Sequence, residues 1–153
     1  LRKKTSRRKK DMKDLHNNIE VTSLLHAIAV ATTQTITDID LSGCNSAELV
    51  IDAGADGGGA GLSSSNKIVF TLKHSDDGTT YAAVEDKDML GVSDITSGTI
   101  LTIDGTDEDD TVYHFGYIGG KRYLELVGTV SGTISIPFSI SLVKGHLQDS
   151  PVI

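Results

Sequence analysis

Five histidines, twenty-one acidic residues and many serines give this chain the groups from which a hydrolytic, acid–base or metal site is built. Their spacing builds none. His16, His26, His74, His114 and His146 are scattered, without the HxH or HExxH interval that turns two imidazoles toward one ion. General-base work by any one of them needs a convergent partner, which sequence separation does not supply. The run Asp104, Asp107, Glu108, Asp109, Asp110 offers oxygens to Ca²⁺, yet it lacks the ordered ligand spacing of an EF-hand. A solvated loop that keeps a sheet edge from pairing is the simpler reading. GxSxG is absent, and so is the strained nucleophile turn that it encodes. Residues 54–66, GADGGGAGLSSSN, lack both the GK[ST] ending and the GxGxxG spacing of phosphate loops, and read as a long hairpin loop. Cys44 stands alone, which excludes an intrachain disulfide, a CxxC pair and a zinc cluster, and it reads as a small buried apolar residue. The expectation is a binding or structural protein, not an enzyme, with no catalytic, cofactor or metal residue.

Charge narrows the partners. Residues 1–10, LRKKTSRRKK, hold seven of the fourteen basic residues and no acidic one, so the other 143 carry seven basic against twenty-one acidic, a net of −14. So negative a body repels DNA and anionic membrane, and neither is expected as a partner. No apolar run approaches the length that spans a bilayer. The basic segment has three readings: sequence upstream of a start at Met12, an arm on an acidic partner surface, or a nucleic-acid contact.

The elements that must position these residues are strands. Residues 112–127, VYHFGYIGGKRYLELV, read as a two-residue hairpin about Gly119-Gly120, with Tyr113, Phe115, Leu124 and Leu126 on the core face. In that register His114 faces Glu125 and Tyr123 covers Gly116. Residues 19–30 read as a strand bent at Leu24-Leu25, with a helix over 23–31 as the competitor. Residues 35–41 are a strand with one slip in phase. Further strands are expected over 46–53, 67–74, 80–84, 99–104 and 133–144, with Pro137 implying an edge strand or a bulge. Met89, Leu90 and Val92 are expected to cap one end of the core. Eight or nine strands of period two indicate an all-β antiparallel sandwich, jelly-roll-like, or a β-barrel. The expected layout is an extended basic and polar arm over 1–18, a sandwich domain over 19–146 and a tail over 147–153.

Four short stretches, in order, carry a resemblance: residues 12–18, MKDLHNN; 74–78, HSDDG; 117–123, YIGGKRY; and 143–146, VKGH. Together they resemble small structural proteins encoded beside the major capsid protein in tailed bacteriophages and prophages. The resemblance runs from Met12 to the C-terminus, and the preceding residues depart from it. It implies a capsid decoration or cement protein on the outside of the virion shell, commonly trimeric, made in the bacterial cytoplasm and bound to the major capsid protein. Asp14, Leu15, His16 and Asn17 are the residues expected at that contact. The alternative is a host-attachment or glycan-binding head fibre module, which needs exposed aromatic platforms, or another head or tail component.

Overall fold

Residues along this chain alternate in character, and burial follows the alternation. In the computed structural model, which describes residues 13–148, ten strands form: β1 (Ile19–Val30), β2 (Gln34–Asp40), β3 (Cys44–Ala53), β4 (Lys67–Ser75), β5 (Ala82–Ala83), β6 (Met89–Leu90), β7 (Thr99–Ile103), β8 (Thr111–Tyr117), β9 (Tyr123–Ser131) and β10 (Ile136–Leu147). One antiparallel sheet has the order β1-β10-β3-β8-β6; the other runs β2-β9-β4-β5, with β7 also on β4. Leu49 and Ile51 of β3, and Ile136, Phe138, Ile140 and Leu142 of β10, face Ile68, Phe70 and Leu72 of β4 and Leu124 and Leu126 of β9, all buried. Phe70 meets Phe138 edge to face between the layers, ring centroids 5.4 Å apart, a geometry that the ring quadrupole favours. The sheets stay separate, so the architecture is a sandwich and not a barrel.

Pairing is nested. β1 pairs with β10, β2 with β9, β3 with β8 and β4 with β7. Ile19 opposes Gly145, Gln34 opposes Gly128, Ala47 opposes Tyr117 and Ile68 opposes Ile103; the two numbers of every such pair average between 81 and 86. The chain is therefore one long antiparallel ribbon, doubled near β5 and wound so that β1 to β4 fall in alternate sheets. That is the jelly-roll order.

The ribbon overturns the expected hairpin. β8 lies in one sheet and β9 in the other, and residues 118–122 carry the chain over the end of the sandwich. Neither Gly119 nor Gly120 has the positive φ that a type I′ turn needs. Phe115, Leu124 and Leu126 are buried as expected, but in facing layers instead of on one sheet. Alternation shows which side of a strand is apolar; it does not show whether two apolar sides lie side by side or face to face. His114 accordingly meets Glu48 of β3, Nδ1 to Oε1 2.5 Å, and Glu125 takes the Lys73 ammonium at 2.9 Å. Gly116 is covered by Leu90, while the Tyr123 ring lies against Gly78.

Smaller corrections share this cause. The glycine-rich loop 54–66 is not a hairpin loop, since it joins β3 to β4 across the two sheets, and it is tied to β10's approach by Gly54 N–H to Pro137 O and Gly57 N–H to Ser135 O. Pro137 is not on an edge strand, because β10 runs between β1 and β3. It sits one residue into β10 with its ring against Gly54, just past the end of β3, where no ladder N–H is required. The strand reading of residues 19–30 holds, with register shifts between Ser23 and Leu25 and between Leu25 and Ile28. The slip in β2 falls between Ile36 and Ile39, where Asp38 has φ 57°. Of the expected arm and tail, residues 1–12 and 149–153 lie outside the described residues; residues His16–Asn18 form a 3-10 turn and are not extended.

A glycine pair separates the two topologies. A methyl at position 119 would come within 2.5–2.7 Å of the Tyr117 ring, whereas one at 120 meets open space. Gly119→Ala should cost about 1–3 kcal/mol through overpacking, and Gly120→Ala should stay within about 0.5 kcal/mol of wild type. Urea midpoints at constant m-value measure both; a large loss from Gly120→Ala would restore the hairpin.

Candidate functional site

One end of the sandwich gathers the β2–β3 turn, the β8–β9 crossing, β6, and the points where the described chain enters and leaves. Asp88 organises part of it: its N–H bonds the Glu85 carbonyl at 2.9 Å, its carboxylate accepts the Glu85 N–H at 3.0 Å, and its carbonyl accepts the Ile118 N–H at 2.8 Å. The turn thus fixes Ile118 and starts β6. Met89 then points into the core, and Leu90 lies outward across bare Gly116. Leu15 comes from the turn preceding β1. Leu15, Leu90 and Ile118 are 65%, 55% and 57% exposed, and with Val143 they line a groove of about 590 Å³. A more polar cleft of about 440 Å³, lined by Ser42, Asn45, Arg122 and Gln148, opens on the other side of Ile118.

The four residues expected at a contact divide here. The Asp14 carboxylate accepts the Asn17 backbone N–H at 3.2 Å and its amide at 2.6 Å, while Asn18 bonds the Asp14 carbonyl at 2.8 Å. The Asn17 amide holds the Asp14 carboxyl below its ordinary pKa. Asp14 and Asn17 therefore shape the turn, His16 is exposed, and only Leu15 reaches the groove. The reading missed Leu90, Ile118 and Val143. The sequence pattern sets Leu90 in the core and Ile118 in a hairpin ladder; Gly116, which that hairpin register places under Tyr123, is the signal for an outward Leu90.

Beneath the apolar patch, Tyr117 fastens one sheet to the other. Its hydroxyl lies 3.0 Å from His74 Nδ1 on β4 and accepts the Lys121 N–H at 3.1 Å, with the two rings edge to face. Burial raises the Tyr117 pKa above its ordinary value, so the phenol stays neutral. Asp40 at the end of β2 receives both Arg122 Nε and an Arg122 terminal nitrogen at 2.9 Å, and Lys121 pairs with Asp76. The β8–β9 crossing is pinned from both sides.

Other candidate groups are committed elsewhere. Glu108 accepts the N–H groups of Asp104 and Gly105, and Asp109 accepts that of Asp56, all at the opposite end of the sandwich. Among the described residues no three His, Cys, Asp or Glu side chains converge as for a metal, and no helix is long and apolar enough to cross a membrane. Cys44 is partly buried, not fully, and donates to the Leu41 carbonyl; burial raises its thiol pKa. Half-exposed Tyr81 reaches Asp38, and the Arg122 guanidinium lies 4.8 Å from the Tyr123 ring centroid. No protein-family model matches the chain, and no curated protein matches it in sequence.

The Asp40–Arg122 pair predicts an acid response. The guanidinium holds the Asp40 carboxyl well below the usual carboxylate range, so the pair's contribution is present above the unfolded value of about 3.9 and is lost as pH falls through the folded one. Asp40→Asn should flatten the fall of Tm between about pH 4 and pH 2 relative to wild type. Parallel curves would mean that the pair adds nothing.

Proposed function

We propose that this protein is a bacteriophage capsid decoration protein, which binds the outside of a shell built by the major capsid protein and braces it. The observation that carries the reading is the apolar patch of Leu15, Leu90 and Ile118, fixed at one end of a rigid sandwich. Exposed apolar groups of this kind, beside polar turns, mark protein contacts. The patch adjoins residues 14–17, one of the stretches that carries the sequence resemblance. The jelly-roll order, which recurs among viral capsid domains, adds an analogy at the level of fold.

Bracing a shell asks for rigidity and adhesion and for no chemical step. Each copy contributes a modest contact, and repetition by shell symmetry multiplies it. The resemblance implies a trimer on the virion exterior, assembled from chains made in the bacterial cytoplasm. In this reading Leu90 and Ile118 enter an apolar recess on the shell, and the acidic body faces outward.

The test is co-sedimentation of the purified protein with undecorated capsids, with heat resistance of the particles as a second readout. Binding should saturate and raise the temperature at which capsids open. Ile118→Asp and Leu90→Asp should each weaken it at least about tenfold by placing a charge in the contact, with the folded signature in circular dichroism unchanged. Wild-type protein that stays in the supernatant at saturating concentration would refute the reading.

A further inference from the structure

The long side of the sandwich opposite β6 has a different character. β1 is the outermost strand of its sheet and β2 of the other, and residues 31–33 join them. Residues 21–37 contain no Asp, Glu, Lys or Arg, in a chain whose residues 11–153 carry a net of −14. Glu20, just before that stretch, is paired with Lys144. Val21 and Ile28 stand 60% and 43% exposed on β1. On the outer face beside them come Val143, opposite Val21, and Ser141, opposite Ser23.

An edge strand of twelve residues usually carries lysine, proline or another device against pairing. β1 has neither lysine nor proline. Its bulges turn Leu24 and Leu25 toward the core and twist the second half, but Ile19 to Ser23 keeps regular register with β10. Among the described residues, the N–H and C=O groups along the outer side of that run have no neighbouring strand in the sheet order.

We infer that copies of this chain meet each other along the β1–β2 wall, with Val21 and Ile28 covered in the contact. Charge selects a second copy as the occupant. Two bodies this acidic repel over most of their surfaces and approach at least cost along residues 21–37, where both are uncharged; of the two acids that end β2, Asp40 is paired with Arg122 and Asp38 accepts from the Tyr81 hydroxyl. Area agrees: a twelve-residue strand is about 40 Å long, and two sheets about 10 Å apart with their side chains make a wall some 20 Å deep, on the order of 800 Å² per copy, the size of a standard stable interface. The wall borders the Leu15–Leu90–Ile118 groove at Ile19 and Val143, while Leu90 belongs to β6 at the other edge of that sheet, so variants at Ile28 and at Leu90 separate the two contacts.

Sedimentation velocity of the full chain over a concentration series tests it. Wild type should associate in the micromolar range. Val21→Lys and Ile28→Lys should each weaken association at least about tenfold with unchanged circular dichroism and Tm, while Leu90→Lys leaves it as in wild type. Wild type that stays monomeric up to about 100 µM, weaker than such an area supports, would overturn the inference. So would wall variants that associate normally, or a loss seen only with Leu90→Lys. Should a lysine variant fail to fold, Val21→Thr and Ile28→Thr give a second reading: weaker association supports the wall, and association as in wild type counts against it.

Discussion

Pairing between the two halves of the chain governs everything else in this molecule. Each long strand of the first half finds its antiparallel partner in the second, from β1 with β10 inward to β4 with β7. Backbone groups that neither half can satisfy alone are satisfied by the other. The contacts are therefore remote in sequence, and such topologies close slowly because loop entropy is lost before the ladders form. Local sequence cannot rescue a broken pair, since the hydrogen-bonding neighbour of nearly every strand is far away in the chain.

Winding the ribbon also gives the sandwich two unlike ends. At one, the Tyr117–His74 contact laces the sheets, the Asp40–Arg122 pair pins the crossing to β2, and apolar side chains are left standing outside. At the other, the acidic and glycine-rich loops satisfy one another: the Asp56 N–H bonds Asp109, and the Asp56 carboxylate accepts the N–H groups of Gly58 and Ser135. Polar groups bonded among themselves have little left for a partner. Exposed Leu90 and Ile118 are held by turns that have spent their polarity on Asp88, so burial of these two side chains costs a partner little desolvation of backbone.

Much of this was written in the residues. Ala47, Leu49 and Ile51, like Ile68, Phe70 and Leu72, alternate so cleanly that strand position and inward face are readable directly. What could not be read was partnership. Val112 to Val127 has every local mark of a hairpin, and only the competition among distant strands shows that β8 prefers β3 and β9 prefers β4. The same blindness hid the apolar patch: Leu90 resembles any core leucine until Gly116 is seen beneath it, and Ile118 resembles a ladder residue until the chain is seen leaving the sheet. At Asp14 to Asn17 the polar pattern reads as extended arm where the chain turns, and only Leu15 among them meets the groove.

Both the first and the last described residues lie at the end that carries Leu90 and Ile118, because Ile19 sits opposite Gly145 on neighbouring strands. Gly59 and Gly61 instead occupy the far rim, beyond the nine residues of β4, roughly 30 Å away at strand rise, with open space where a side chain would start. A peptide grafted into that rim would stand clear of the patch like a flag on a short mast, leaving the ribbon beneath it undisturbed.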